Sequence, residues 1–230
     1  MLFFCLPEAY SQGNAFAFFE YDIRLGMEDQ FNNGYEKDLE WHKSQGDDWS
    51  WIGWYVINGE RRGRFIDATP NHEWKDFDNW KVNGAENNRH NKIHWVPYVE
   101  NYSGSYRTVL PAFSDFKRDW FTKKFLQVYN LKVIEGKAYL FKEFLNKHKA
   151  YLSSKLNGIS FVWMQTVSGG SNSEYLLFIA TDQVETLGDC QFLFDFPDAE
   201  KELRKLYSES VRENIVELWH FSEKLSLISE

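Results

Sequence analysis

Apolar residues recur along the first part of the chain with spacings that change from strand-like to helix-like. Residues Ala15–Ile23 form an almost continuous apolar run, which predicts a strand. Residues Glu28–Lys43 carry ring or apolar side chains every three or four positions, which predicts an amphipathic helix with one face made by Phe31, Tyr35, Leu39 and His42. The chain therefore begins with a strand followed by a helix.

An Asn58-Gly59 pair separates the next two apolar runs, WSWIGWYVI and RGRFIDAT. Because both residue types tolerate a positive φ angle, the pair predicts a hairpin between two strands. The segment Pro70–Trp80 has proline in its first turn and predicts a second helix. A last strand near His94–Val99 completes the predicted unit.

The second half of the chain repeats this order at an offset of about 110 residues. The runs KFLQVYNLKV, ISFVWMQTV and EYLLFIAT predict strands, and Ala138–Leu152 predicts the first helix. Ala199–Tyr207 predicts the second helix and Asn214–Leu227 contains the last strand, although VRENIVELWHF also fits a helical stripe. We interpret the repeat as an internal duplication, with units at residues 13–115 and 120–230.

Each predicted unit has the order strand, helix, strand, strand, helix, strand. This order is typical of the ferredoxin-like plan, in which two helices cover one face of a four-stranded antiparallel sheet. The sequence therefore predicts an α+β fold of two tandem ferredoxin-like units whose antiparallel sheets pack into one α/β barrel. Because the two copies bury each other's open face, a monomer satisfies the fold, and a homodimer would use other surfaces.

Composition and charge exclude several classes of partner and site. The net charge of −8 repels phosphate backbones, so we expect no nucleic-acid partner. No apolar run reaches the roughly 18–20 residues of a membrane span. The two cysteines, Cys5 and Cys190, exclude a disulfide framework. His90 and His94 are four residues apart, but no metal-binding motif accompanies them, so we assign no metal.

The first twelve residues, MLFFCLPEAYSQ, have an apolar start followed by small residues at Ala9 and Ser11. This spacing is typical of the end of a secretory signal peptide. We therefore expect an extracytoplasmic location, periplasmic or secreted, with a cytoplasmic location as the alternative.

In both halves a helix ends near a histidine, followed by an aromatic strand, a glycine turn and a strand ending in Ala-Thr. The first half continues with Trp74, Asp76, Phe77 and Asp78. This pattern resembles the dimeric α/β-barrel superfamily, in particular its NIPSNAP-like and antibiotic-biosynthesis-monooxygenase-like domains. The resemblance covers nearly all of residues 15–227. It implies the barrel, but its members include cofactor-independent oxygenases, haem-degrading enzymes and chlorite dismutase-like proteins, so it does not give the function.

Haem-degrading members of that superfamily use an asparagine on the first strand, a tryptophan on the third strand and a histidine on the second helix. Asn130 matches the asparagine in the second unit, whereas Asp22 stands there in the first. Neither third strand contains tryptophan, and His72 alone matches the histidine. We therefore expect no haem degradation and assign no cofactor.

The tryptophan-rich strand suggests a ligand pocket. Strand alternation places Trp51, Gly53 and Tyr55 on one face, where the glycine would leave space beside large rings. We predict a pocket inside the barrel, formed mostly by the first unit with Asp22, while Asn130 and Trp163 replace these groups in the second. The alternative is that the rings only fill the barrel. His42 and His148 are interpreted as capping and packing residues.

Two functions follow from this pocket, and the sequence leaves open whether the protein is an enzyme. The first is binding, or cofactor-independent transformation, of a small hydrophobic molecule inside the barrel. The second is a non-catalytic exported protein that uses the duplicated barrel for recognition or assembly.

The predicted leader has a direct test. We expect the mature chain, purified from its native host, to begin near Gln12 or Gly13 and to be found outside the cytoplasm. N-terminal sequencing of that material checks this. Recovery of Met1 on cytoplasmic protein would show that the predicted leader is wrong.

Overall fold

The computed structural model describes residues 13–190 and 192–229, so the predicted leader lies outside the described residues. The first half contains β1 (Ala15–Ile23), α1 (Glu28–Ser44), β2 (Ile52–Asn58), β3 (Phe65–His72), α2 (Gly84–His94) and β4 (Val99–Val109). The second half contains β5 (Phe125–Val133), α3 (Ala138–Lys155), β6 (Ser160–Ser168), β7 (Glu174–Thr181), the short α4 (Leu187–Cys190), α5 (Lys201–Ser210) and β8 (Val211–Phe221). No helix among these is long and apolar enough to cross a bilayer.

The eight strands close into one antiparallel barrel with the order β1-β3-β2-β8-β5-β7-β6-β4. Within each half the order is the ferredoxin-like one, and the predicted fold class is confirmed. The two four-stranded sheets join at both edges, since β2 pairs with β8 and β4 pairs with β6. The last strand, for which the sequence also fitted a helix, is β8.

The interior of the barrel is filled by aromatic and branched side chains from both halves. Phe18 lies 6.3 Å from Phe178 between ring centroids, and Trp54 lies 6.0 Å from Trp219. Each of these contacts joins one half to the other. The helices pack outside the barrel, where each half has its own apolar layer between sheet and helices.

The predicted helix at Pro70–Trp80 is wrong. Strand β3 instead continues to His72. Pro70 is tolerated there because β2 begins opposite Ala68, so the end of β3 has no partner strand on that side that would need the missing N–H. Helix α2 starts after Asn83, whose side chain caps it by accepting the backbone N–H of Ala85 at 3.0 Å. The predicted last strand near His94–Val99 is also wrong, because α2 ends at His94 and β4 only begins at Val99.

Helix α2 lacks the hydrophobic pattern by which a helix is predicted from sequence. It has no buried residue, so it shows no apolar stripe. The segment predicted as a helix has one 3-10 turn at Trp74–Asp76, after which Phe77 and Trp80 pack on Trp49, each at a ring-centroid distance of 5.5 Å.

A charged cluster at one end of the barrel ties the halves together. Arg61, in the turn between β2 and β3, donates two hydrogen bonds of 2.7 Å to the carboxylate of Glu217 on β8. Glu217 also accepts from the Trp219 indole at 2.9 Å. Burial by itself raises the pKa of Glu217, but the hydrogen bonds from Arg61 and Trp219 outweigh it and hold that pKa below its ordinary value.

We expect Arg61→Met to lower the free energy of unfolding by about 2–3 kcal/mol, because it leaves the buried Glu217 charge without its partner. This is less than for a fully buried pair, since the Arg61 side chain is 29% exposed. Because the pKa of Glu217 is lowered in the fold, the parent's advantage should be present at neutral pH and disappear as the pH falls through that pKa. Urea unfolding at neutral and acidic pH measures this.

The matched control is Lys147→Met, which removes the exposed ion pair of Lys147 with Glu202. It should leave the unfolding curve unchanged. Equal unfolding curves for Arg61→Met and the parent at neutral pH would show that the Arg61–Glu217 ion pair does not stabilise the fold.

Candidate functional site

A cavity of about 140 Å³ lies in the first half, between the outer face of the sheet and helices α1 and α2. Its walls are mostly aromatic, with Phe19, Tyr21, Trp51, Trp95 and Tyr102. Six polar side chains also face it: Tyr35, Asp38, His42, Asp67, Asn87 and Asn91. An aromatic cavity with several convergent polar groups is the usual form of a small-molecule site.

Asp67 is the central polar group of this cavity. It lies in β3, is 1% exposed, and its Oδ2 accepts hydrogen bonds from the hydroxyls of Tyr21, at 3.0 Å, and Tyr35. Its Oδ1 is buried and has no hydrogen-bond partner among the described residues. A buried carboxylate oxygen without a donor is costly, so the cavity is suited to a molecule that supplies one.

The surroundings of Asp67 place its proton affinity near neutrality. Burial raises the pKa of Asp67 to about 7, although the hydrogen bonds from Tyr35 and Tyr21 act in the opposite direction. Burial and the Asp67 charge raise the pKa of both tyrosines well above the ordinary value, so both remain hydrogen-bond donors. Asp67 can therefore accept or release a proton near pH 7.

A second group of ionisable residues lines the cavity from α1. His42 lies between two carboxylates, with Nδ1 2.8 Å from Asp47 Oδ2 and Nε2 3.7 Å from Asp38 Oδ2. The other oxygen of Asp38 is 2.9 Å from His90 Nδ1 on α2. Burial raises the pKa of Asp38, although His42 and His90 counteract it.

Helix α2 adds two more acceptors. Asn87 and Asn91 lie one turn apart, and the Oδ1 atom of each is buried without a hydrogen-bond partner among the described residues. With Asp67 Oδ1, three acceptor oxygens thus surround a space with aromatic walls. These acceptors outnumber the one buried donor in the wall that has no hydrogen-bond partner among the described residues, the indole N–H of Trp95, so the site favours a ligand that donates hydrogen bonds.

The second half fills the corresponding space with apolar side chains. Phe19 pairs with Asp67 across the first sheet, and Gln127 pairs with Ile179 at the same place in the second. Four residues before the helix histidine, Asp38 in the first half is replaced by Phe144 in the second. Among the described residues of the second half, the acidic site therefore has no counterpart.

The predicted site residues lie on two opposite faces of the barrel wall. Trp51, Gly53, Tyr55 and Trp163 face the helices, and of these Trp51 lines the cavity. Asp22 and Asn130 are on the barrel side of their strands. The structure therefore does not bring the six together.

The pocket predicted beside Gly53 is already filled. A Cβ atom on Gly53 would lie 2.4 Å from the backbone oxygen of Leu225 and 2.7 Å from the ring of Phe65. Tyr55 next to it is bound through its hydroxyl to Asn32. The strand alternation was read correctly, but the tryptophan face turns away from the barrel.

The remaining predicted residues have separate surroundings. Asp22 lies at the barrel rim, 37% exposed, with its carboxylate 2.7 Å from Arg64. Asn130 has a buried Oδ1 without a hydrogen-bond partner among the described residues. Trp163 packs between Phe141 and His148 under α3, at ring-centroid distances of 5.9 and 6.0 Å.

Sequence reasoning missed Asp67 and Asp38, and interpreted His42 only as a capping and packing residue. The signal for Asp67 was an acidic residue inside the apolar strand run RGRFIDAT. The signal for Asp38 was its place on the same helix face as Tyr35 and His42, at spacings of three and four. Both pointed to buried carboxylates.

The cavity between the first sheet and helices α1 and α2 does not fit a haem. A cavity of about 140 Å³ is far too small for a porphyrin. In the second half, His148 is fully buried and its Nε2 is 2.9 Å from the backbone oxygen of Leu193. Rings of Phe144 and Phe194 cover it, at centroid distances of 4.6 and 5.1 Å.

Comparison with known proteins identifies the fold. No family model and no curated protein matches the sequence. A proposed monooxygenase from Lactobacillus acidophilus has a similar structure, with a TM-score of 0.59, 10% identity, and coverage of 94% of this chain and 99% of that one. An anthrone oxidase-like protein gives a TM-score of 0.59, 9% identity and 93% of each chain.

A proposed chlorite dismutase is also similar, with a TM-score of 0.55, 10% identity, and coverage of 91% of this chain and 95% of that one. All three resemble this chain over nearly its whole length. The chain has the dimeric α/β-barrel fold that its sequence pattern predicted. At identities this low, the likeness concerns the fold alone.

The filled space at Gly53 gives a prediction. Gly53→Ala should lower the free energy of unfolding by about 1–3 kcal/mol, because the new methyl group meets the backbone of Leu225. Gly84→Ala is the control, since it adds the same group at the start of α2 with no atom within 4 Å. It should be neutral or slightly stabilising. Urea unfolding distinguishes them, and equal stability of the two variants would contradict the packing described.

Proposed function

We propose that the cavity between the first sheet and its helices binds a small molecule with an aromatic ring and a hydroxyl group, and that Asp67 accepts the proton of that hydroxyl. The observation that carries the proposal is the buried Oδ1 of Asp67, which no described residue hydrogen-bonds, at the wall of an aromatic cavity. A hydroxyl placed there satisfies this oxygen and gives the carboxylate a proton to accept.

The size of the cavity supports a single ring. An apolar protein cavity of about 150 Å³ accommodates benzene, and this one measures about 140 Å³. The rings of Phe19, Tyr21, Trp51 and Trp95 supply offset and edge-to-face surfaces for an aromatic ligand. The acceptors Asn87 and Asn91 can bind a further donor group of the ligand.

The chemistry that we propose is cofactor-independent. A base with a pKa of about 7 can remove the proton from a phenol-type hydroxyl at neutral pH. The proton moves from the ligand oxygen to Asp67 Oδ1, and Tyr21 and Tyr35 continue to donate to Oδ2. The product is a phenolate, which reacts with oxidants and electrophiles more readily than the phenol. The names of the structurally similar monooxygenase and anthrone oxidase-like protein are compatible with such a small-molecule reaction.

The probe 4-nitrophenol tests this function, because its phenol and phenolate forms absorb at different wavelengths. Near neutral pH we expect a larger bound phenolate fraction in the parent than with Asp67→Asn, where proton transfer to the protein is lost and only ionisation of the free probe in water supplies phenolate. The variant should also bind the probe roughly ten- to hundredfold more weakly, as expected for loss of a hydrogen bond to a charged group. Spectral titration and calorimetry give both quantities.

Asp22→Asn is the matched control, because it makes the same substitution at the barrel rim outside the cavity. It should bind the probe as the parent does. If Asp67→Asn and the parent show the same affinity and the same absorbance of the bound probe, Asp67 does not accept the proton.

A further inference from the structure

Asp67 is 1% exposed beneath α1, so its proton leaves only through the cavity or through the groups that line it. A carboxyl group that takes up a proton there must also release it. The groups facing it are Tyr21 from β1, together with Tyr35, Asp38 and His42 from α1. Neither tyrosine can readily give up its own proton, because the pKa of each is raised well above the ordinary value.

Asp38 is the acidic group that connects the cavity to another element. Its side chain lines the cavity and is 7% exposed, and its Oδ1 is 2.9 Å from His90 Nδ1. Because the carboxylate lies on α1 and the imidazole on α2, the contact crosses the wall of the cavity.

His90 connects Asp38 to the protein surface. Its side chain is 17% exposed, and its ring stacks on Trp41 at a centroid distance of 4.9 Å and an interplanar angle of 17°. The ring of His94, one turn later on α2, lies 4.1 Å away. The charged or titratable groups that act on this pair of histidines include Asp38 and Lys37.

Asp47 and His42 hold Asp38 in place from the other side. Asp47 accepts hydrogen bonds from the indole of Trp51 at 3.0 Å and that of Trp80 at 3.2 Å. Although burial acts in the opposite direction, the hydrogen bonds from His42 and Trp51 lower the pKa of Asp47. An ionised carboxylate only accepts, so His42 Nδ1 carries the hydrogen toward Asp47, and Nε2 is directed toward Asp38.

We propose that Asp38 and His90 form a proton path between the cavity and the protein surface, with His42 and Asp47 as positioning residues. The path extends the proposed function, because it returns Asp67 to the state in which it can accept another proton. Its existence does not depend on the identity of the ligand.

Each transfer in the path balances. A water molecule in the cavity, which has room for several, carries the proton from Asp67 Oδ1 to Asp38. With His90 in the tautomer that carries its hydrogen on Nε2, protonated Asp38 gives its proton to His90 Nδ1, and Nε2 releases its own proton to bulk water. A turn of the imidazole ring then brings the bare nitrogen back to Asp38 for the next proton. One proton leaves, and no bond other than those to hydrogen changes.

The test follows Asp67 itself after a rapid pH jump across neutrality, with no ligand added. Its protonated carboxyl has an infrared C=O band, identified as the band that Asp67→Asn removes. In His90→Gln the relaxation of that band should slow by roughly a hundredfold, the low end of what loss of a proton-transferring group costs. The midpoint of the titration should stay the same, and imidazole added to the buffer should restore the rate.

His94→Gln is the matched control, because it changes the neighbouring histidine of the same helix but not the contact with Asp38. It should relax at the parent rate. Asp38→Asn should be slow like His90→Gln, and circular dichroism establishes that each variant is folded. Should Asp38→Asn fail to fold, the comparison of the two histidine variants decides the question.

Relaxation of His90→Gln at the parent rate would overturn the path, as would the absence of any band that Asp67→Asn removes. These outcomes are separate from the ligand experiment. If 4-nitrophenol does not bind but His90→Gln is slow, the proposed ligand is wrong and the path remains. If the probe binds as expected but His90→Gln is fast, only the path is wrong.

Discussion

Closure of the barrel is the constraint on which the rest of the structure depends. Each four-stranded sheet alone would expose one apolar face and two unpaired edges. Pairing of β2 with β8 and of β4 with β6 removes all four edges in one step. The same step brings the inner faces together, so that rings such as Trp54 and Trp219 fill the interior. In the first half, a space of about 140 Å³ remains between the sheet and its helices.

The cavity in the first half is costly for stability, which is why it indicates function. The pKa of Asp67 is raised from the ordinary 3.8 to about 7, and each tenfold change in proton affinity corresponds to about 1.4 kcal/mol. Keeping this carboxyl ionised inside the fold therefore costs roughly 4 kcal/mol above pH 7, and the cost decreases as the pH falls toward 4. A leucine or isoleucine at this position would avoid it, as Ile179 does in the second half.

Much of the fold could be predicted from the sequence because burial leaves a periodic record. The strands Ala15–Ile23 and Glu174–Thr181 were predicted at their observed limits. Helix α2 was misplaced because none of its residues is buried, so the pattern that marks other helices is absent. The sequence also could not show which face of each strand points into the barrel. Alternation shows that Trp51 and Gly53 share a face, but only the closed sheet shows which side that face covers.

The site was harder to predict because its residues are joined only by packing. Asp67 comes from a strand, Asp38 and His42 from α1, and His90 from a helix whose position was not recognised. Each has an ordinary structural explanation when taken alone. The chemistry arises from the combination, since an ionised Asp47 orients His42, and His42 and His90 together hold Asp38 at the cavity wall. The two halves share one order of strands and helices but differ at this place: Phe144 and Ile179 complete an apolar layer in the second half, whereas Asp38 and Asp67 line a cavity in the first.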